Sequence, residues 1–372
     1  MVKGLRTWIE VDTKRLKHNY RFFRRLLGKK VLLLGVVKSN AYGHGLVGFS
    51  RELQKQGIDW LGVDSVVEGL RLREKGIKKP ILVLGYTLPE NFSKAAKSAI
   101  SITVSTREGL REARRTRVHF HLKIDSGMHR QGILPVDMPR ILAFIKNLGV
   151  TKGQFEGLYT HLAAPGSAKF RKKTKEQIAV FRTSVAQVRA AGYRPLLHAA
   201  ATNGALLFPE AHFDMVRIGM GLYGAWPSKE VGSYRTFKRR LKPILEWKTI
   251  IAETKSLPKG ASIGYDFTAT LKHPSKIAIC PVGYWHGYPR LLSNRGKVLV
   301  AGRIAPILGR VSMDMIAIDI TGIPRVSIGS EVVLIGTSKT REINANELAE
   351  ESGTTAYEIL TRLNPLIKKE YR

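Results

Sequence analysis

The chain has a single cysteine, Cys280, among 372 residues. That excludes an internal disulfide framework and fits a reducing compartment such as the cytoplasm. No apolar run approaches the roughly 20 residues that a membrane-crossing helix needs. The opening stretch, MVKGLRTWIEVDTKRL, lacks the apolar segment of a secretory signal, so neither leader nor anchor is expected. No zinc-ligand spacing occurs, and no metal site is expected. Acidic residues are scarce: 29 Asp plus Glu face 62 Lys plus Arg, a net charge of +33. Such an excess attracts polyanions. The cations are dispersed, however, over Lys14–Lys30, Arg111–Arg117, Arg171–Lys175 and Lys238–Lys242, mostly on what read as polar helix faces. No aromatic RNA-binding motif or basic-arm heptad accompanies them. A solvated basic surface is expected rather than a dedicated nucleic-acid site. With 44% hydrophobic and 24% charged residues, the class is soluble and globular.

Short apolar runs recur through the first two thirds: Val31–Val37, Trp60–Val63, Ile81–Leu84, Ile100–Val104, Val118–Ile124, Phe155–Tyr159, Leu196–Ala199 and Met215–Ile218. Runs of this kind suit parallel strands buried on both faces. Helical patterns lie between them. Leu16, Tyr20, Phe23 and Leu27 recur at helical spacing after a capping Asp12-Thr13, and Ile178, Phe181, Val185 and Val188 form a second stripe. Eight such units argue for a (β/α)8 TIM barrel, with an open doubly wound sheet as the alternative. After about residue 235 the texture changes. Ile244–Ile251, Ile277–Pro281, Lys297–Val300, Met315–Ile320 and Glu331–Ile335 read as strands, with one clear helix near Ala345–Ser352. The expected organisation is an α/β barrel over 1–235 followed by a C-terminal, mainly β domain over 236–372. Trp8–Val11 could join either.

In a barrel, reactive groups belong at the C-terminal ends of the strands. The first barrel strand ends at Lys38, the fifth in Lys123–Arg130, the sixth in Thr160-His161, the seventh in His198 with Thr202-Asn203-Gly204 beyond it, and the eighth in Arg217 with Gly219 and Gly221 following. A lysine at a strand end is ordinarily a surface residue. A lysine facing the hydroxyl- and glycine-rich loops that commonly bind phosphate in barrels instead suggests covalently held pyridoxal 5′-phosphate (PLP).

The segment Val37-Lys38-Ser39-Asn40-Ala41-Tyr42-Gly43-His44-Gly45 closely resembles the cofactor-lysine signature of alanine racemases, in which Ala is usual at the place of Ser39. The likeness continues through Lys123–Arg130, Gly157–His161, His198–Thr202, Val216–Gly224, Gly264–Thr268, Pro281–Gly287, Gly309–Asp314 and Tyr357–Leu360. It implies a PLP-dependent isomerase interconverting L- and D-alanine by a two-base mechanism. Lys38 holds the cofactor and serves as one acid/base, and Tyr265 is the other, on the opposite face. His161 is the candidate for assisting that tyrosine. Arg217 meets the pyridine nitrogen and, staying protonated itself, weakens the electron sink. Tyr42, Thr202 (Ser is usual there), Tyr357 and the amides of Gly219 and Met220 form the phosphate cradle. Arg130 lies near the cofactor's phenolic oxygen and the substrate carboxylate, and Lys123 is a possible carbamylated lysine. Tyr284 and the amide of Met313 contact substrate. The resemblance further implies a homodimer in which Tyr265, Tyr284 and Met313 come from the partner subunit, a cytoplasmic location and supply of D-alanine for peptidoglycan. His129, Gln131, Asp266, His286 and Ser312 depart from the family's common residues. They leave a broader racemase, acting on serine or basic amino acids, as the alternative. His44 and His198 read as structural rather than chemical.

Overall fold

The computed structural model describes residues 4–226, 229–233 and 240–372. It divides into two compact units: Lys17–Ala41 with Leu46–Lys242, and Met1–Leu16 with Tyr42–Gly45 and Pro243–Arg372. The expected boundary at 235/236 lies outside the described residues, as does part of the basic stretch Lys238–Lys242.

A closed parallel barrel forms the first unit. Its strands are β2 (Leu32–Val36), β3 (Trp60–Val63), β4 (Ile81–Val83), β5 (Ile100–Val104), β6 (Phe120–Lys123), β7 (Phe155–Tyr159), β8 (Leu196–His198) and β9 (Met215–Ile218). β2 closes the barrel by pairing with β9, Leu34 opposite Arg217. Strands β3, β4, β5, β6 and β9 are buried at every residue, as expected of strands covered on both faces. The helix Arg171–Ala190 buries Ile178, Phe181, Val185 and Val188, the stripe its sequence spacing marks.

The barrel interior is not wholly apolar. His121 and His198 are completely buried, and their rings meet edge to face at 5.0 Å. The room for His121 comes from Gly157 on the neighbouring strand. A Cβ there would lie 2.0 Å from His121 Nδ1 and 2.4 Å from two ring carbons. The ring cannot retreat, because Trp60 packs on it at 5.5 Å and His198 lies behind. Gly157→Ala is therefore expected to destabilise the fold by about 3 kcal/mol through overpacking. Urea titration would read this directly. A loss under about 0.5 kcal/mol, the range of neutral surface changes, would mean that the histidine pair is loose.

The second unit is built on a ten-stranded sheet. Its strands are β1 (Thr7–Val11), β10 (Leu245–Ile250), β11 (Glu253–Leu257), β14 (Ser275–Cys280), β15 (Lys297–Val300), β16 (Arg303–Leu308), β17 (Ile316–Asp319), β18 (Glu331–Ser338), β19 (Arg341–Ile343) and β20 (Lys368–Tyr371). The short pair β12 (Ser262–Ile263) and β13 (Ala269–Thr270) stands apart from it. Trp8–Val11 takes its place here: β1 runs antiparallel to β10 and parallel to β20. Two α-helices rather than one lie between β19 and β20, Ala345–Glu351 and Ala356–Thr361. In both, one face is buried. The unit also buries a cation: Lys248 Nζ lies 3.2 Å from Glu10, 3.0 Å from Glu246 and 3.6 Å from Glu331. Cys280 is buried, and burial pushes its thiol up to about 12, so it is unreactive at neutral pH. No helix among the described residues is long and apolar enough to cross a membrane.

Candidate active site

The C-terminal mouth of the barrel collects cations. Lys38 stands one residue beyond β2, after Val37, is about 39% exposed, and ion-pairs with Asp64 at 3.3 Å. The backbone after it is unusual. Ser39, Asn40, Ala41 and Tyr42 all have φ between 50 and 56°, a left-handed turn built without glycine. Each such residue costs about 1–2 kcal/mol relative to right-handed backbone. Local bonds hold the turn: Ala41 N–H donates to Val37 O (2.8 Å), Asn40 N–H to Glu68 Oε1 (3.2 Å), and Leu46 N–H to Asn40 Oδ1 (2.9 Å). Strain of this kind is typical of functional sites.

Arg217, on β9, is 3% exposed. Its Nη1 donates to His198 Nδ1 at 2.8 Å. Its Nη2 points at Thr160 O (2.8 Å), Ala199 O (2.8 Å) and His161 Nδ1 (3.1 Å), and Nε is engaged with none of these groups. The guanidinium also lies over the Tyr159 ring at 5.1 Å. No carboxylate pairs with it among the described residues. Burial, only partly offset, brings it down to about 10, so it remains charged at neutral pH.

Lys123, at the end of β6, is buried. Its Nζ donates to Gln131 Oε1 at 3.0 Å. Burial first, then the charges of Arg130, Arg217 and Lys38, push it down to about 8. Arg130 is exposed in the loop beyond. The buried carboxylate nearby, Asp125, offsets these charges only in part. Its Oδ1 already accepts the amides of Gly127, Met128 and His129 at 3.0, 3.0 and 2.9 Å. His161 is half-buried. Burial, then Arg217, Arg130, Lys123 and Lys38, lower its imidazole to about 3.

These shifts have a measurable sign. His161 and His198, the latter also held well below its ordinary value by burial and then Arg217, are neutral in the folded chain. Unfolded histidine takes up a proton below about 6.5. The unfolded state therefore binds more protons between about pH 6.5 and 3, and stability falls as pH falls through that window. Denaturation midpoints between pH 7.5 and 4.5 should show this slope, and His161→Gln should reduce it. An unchanged slope in the variant would mean that His161 is already protonated in the native state.

Thr202, just past β8, is 3% exposed, and Gly221 N–H reaches its Oγ1 at 3.4 Å. Gly219 and Met220 open the turn after β9. The turn is close-packed: a Cβ on Gly221 would stand 2.4 Å from Phe23 and 3.0 Å from Thr202. Four cations against two carboxylates already engaged, Asp64 with Lys38 and Asp125 with backbone amides, beside a buried hydroxyl and a tight glycine turn, are a donor set for an anionic ligand. A phosphorylated aldehyde such as PLP fits it. Lys38 is the half-exposed amine of the set, and Arg217 carries a guanidinium held in place by backbone carbonyls.

The remaining expected residues lie in the other unit. Tyr42 and Tyr357 pack ring against ring at 5.9 Å, and burial pushes the Tyr357 hydroxyl up to about 12. Tyr265 is 70% exposed. It follows Gly264 (φ 75°) and precedes two left-handed residues, Asp266 and Phe267. The Asp266 carboxylate meets Arg310 at 2.7 Å. Tyr284 and Met313 are exposed and are brought together by Tyr284 N–H to Ser312 O and Trp285 N–H to Met313 O, both 3.0 Å.

Two family models match in tandem: the alanine racemase N-terminal domain over residues 11–227 and the alanine racemase C-terminal domain over 244–371. The chain belongs to the alanine racemase family. It is 39% identical to an alanine racemase of Symbiobacterium thermophilum, covering 99% of this chain and 98% of that protein. It is 38% identical to one of Halothermothrix orenii, covering 98% and 97%. Among solved structures, the alanine racemase of Bacillus anthracis with bound L-Ala-P is 34% identical, with a TM-score of 0.90 over 99% of this chain and 95% of that one. That of Clostridium difficile is 31% identical, with a TM-score of 0.92 over 99% and 96%. Alanine racemases are PLP-dependent isomerases, and the barrel followed by a mostly β unit is their architecture. Several residues of this alanine racemase fold were not singled out from sequence: Asp64 on Lys38, Gln131 as the partner of Lys123, and His121 with Glu156 in the barrel interior. His198, read as structural, bonds Arg217 directly.

Proposed function

We propose that this chain interconverts L-alanine and D-alanine, with PLP held by Lys38 and with Lys38 and Tyr265 as the two proton-transfer groups. The observation that carries the reading is the mouth of the barrel. A lysine amine stands there in a cationic set whose buried arginine has no carboxylate partner among the described residues. When bound, PLP supplies an electron-withdrawing ring that acidifies the substrate's α-carbon. The protein residues do the rest. Lys38 Nζ takes or returns the α-proton from one side, and the Tyr265 hydroxyl from the other. Arg217 offers an N–H to the ring nitrogen from a guanidinium already fixed by two carbonyls and two imidazoles. Because it keeps its own proton, it does not fully protonate that nitrogen. Thr202 and the amides of Gly219 and Met220, with the Tyr42 and Tyr357 hydroxyls, hold the phosphate. His161 backs Arg217 and assists Tyr265. Arg130 orients the substrate carboxylate, aided by Tyr284 and the Met313 amide.

Lys123 is assigned as the carbamylated lysine. With its amine lowered to about 8, an appreciable neutral fraction is available to add carbon dioxide. The resulting anion would sit among Arg130, Arg217 and Lys38.

The working form is a homodimer. Tyr265, Phe267, Tyr284, Trp285, Met313 and Met315 are all exposed in the C-terminal unit. Apolar and aromatic groups left bare in such numbers mark a surface that another chain covers. A second copy would bring Tyr265, Tyr284 and Met313 to its partner's Lys38. The setting is the cytoplasm, and the product serves peptidoglycan synthesis.

The deciding experiment follows the optical activity of L-alanine in the presence of purified protein and PLP. Loss of signal to the racemic value supports the reading. If alanine is untouched but serine, lysine or arginine is racemised, the substrate assignment falls while the two-base chemistry stands.

A further inference from the structure

The barrel interior holds a line of polar groups that runs back from the proposed site and to which the proposed chemistry gives no role beyond its first member. It begins at Arg217 near the mouth. Nη1 of Arg217 is 2.8 Å from His198 Nδ1. His198 Nε2 is 2.8 Å from His121 Nδ1. His121 Nε2 stands 3.4 Å from Glu156 Oε2, close but short of a well-made hydrogen bond. Ser101 Oγ also donates to Glu156 Oε2 in a very short contact, and His119 Nδ1 is 3.6 Å from Glu156 Oε1. Glu156 lies near the start of β7, so the line crosses the barrel from its C-terminal mouth to its N-terminal end. Both central histidines are wholly buried.

The protons along this line can be arranged in one way only. Arginine has donors and no acceptor, so His198 Nδ1 must be the acceptor and carry no proton. His198 is neutral, so its proton is on Nε2 and points at His121. His121 Nδ1 must then accept. A protonated Nδ1 would set two N–H groups against each other at 2.8 Å. His121 is therefore neutral as well, with its proton on Nε2 facing the carboxylate. Burial raises the Glu156 carboxyl, but contacts with His121 and Ser101 outweigh this and leave it below its usual range, ionised at neutral pH. A cation closes one end, an anion the other, and every hydrogen between them points from Arg217 toward Glu156.

We propose that Glu156 is a positioning residue for Arg217, acting through His121 and His198 by fixing their tautomers. Its relevance to catalysis rests on the reading above that Arg217 meets the cofactor. Without an acceptor at position 156, the His121 Nε2 proton is a buried donor with nowhere to go. The tautomer with the proton on Nδ1 becomes competitive, His198 must follow, and Arg217 then loses an acceptor.

The test is long-range 1H–15N NMR of the histidine rings in the full-length, PLP-loaded protein. Wild type is expected to show both buried imidazoles protonated at Nε2 and bare at Nδ1. Glu156→Gln, whose carbonyl still accepts, should keep that pattern. Glu156→Ala should give mixed tautomers at both histidines. It should also lower kcat about tenfold, the smaller end of what outer hydrogen-bond partners of catalytic groups contribute, with KM little changed. Wild-type rings protonated at Nδ1 would overturn the proposal, as would a Glu156→Ala variant with unaltered tautomers. If Glu156→Ala does not fold, tautomers that change in the Gln variant overturn it equally. Should the expected pattern appear in a protein that does not racemise alanine, the tautomer lock stands and the reading of the reaction fails.

Discussion

Lys38→Ala is expected to abolish racemisation, lowering kcat by at least about 10⁴-fold, or about 5.4 kcal/mol of transition-state stabilisation. The size follows from two losses at one atom. On the proposed roles, the amine that would hold PLP covalently disappears, and so does one of two proton-transfer groups. The rest of the site should survive. Arg217, His161 and Thr202 are fixed by bonds that do not involve Lys38, and the salt bridge to Asp64 is a half-exposed pair worth little to stability. The variant should therefore fold with an unchanged denaturation midpoint but lose the visible absorption of covalently held cofactor. Thermal or urea melts beside absorbance and turnover separate these effects. Retained absorption with lost turnover would make Lys38 a proton-transfer group only, and retained turnover would refute its assignment.

Tyr265→Phe should produce a smaller but more informative loss. It keeps the ring and removes only the hydroxyl. The expected fall in kcat is about 10³-fold in both directions, within the range of a general acid–base group. Overall racemisation needs a proton group on each face. Exchange of the α-proton with solvent does not, because Lys38 alone can remove and return it on its own side. In deuterated water the variant should thus exchange the α-hydrogen of one enantiomer while barely converting it to the other. The turn around Tyr265 does not depend on its hydroxyl: Gly264 and the two left-handed residues after Tyr265 shape it, and the Asp266–Arg310 ion pair ties it down. Loss of exchange for both enantiomers would indicate that Tyr265 acts by placing substrate, and an unimpaired rate would sink the two-base assignment.

How far the sequence could be read depended on how evenly burial was distributed. Trp60–Val63, Phe155–Tyr159 and Met215–Ile218 are short, mainly apolar segments, with Glu156 and Arg217 the charged exceptions, and the strands run over those same residues. Strand Arg303–Leu308 escaped notice because only Ala305 and Ile307 are buried and Pro306 interrupts it. Lys368–Tyr371 escaped because its residues, Lys-Lys-Glu-Tyr, carry no apolar alternation. Helix Ala356–Thr361 is too short to show a period. Lys38, Arg217 and Thr202 were legible since each closes a strand or lies just beyond one. The left-handed turn after Lys38 was not. Of Ser39, Asn40 and Ala41, only Asn is known for tolerating positive φ. Glu156 was invisible for another reason: its partner His121 is on a neighbouring strand, and nothing local to Phe155–Tyr159 marks the carboxylate as the end of a chain of histidines.

The turn at Ser39–Tyr42 bears on how this enzyme would respond to selection for heat resistance. Ser39 is exposed and held at φ 54°, a conformation glycine adopts freely. A screen that rewards survival at high temperature should favour Ser39→Gly, because relief of local strain outweighs the added entropy of the unfolded chain. The same substitution softens the segment that fixes the rest position of Lys38. Thermostability and turnover would then be selected in opposite directions at a residue to which the proposed chemistry gives no role.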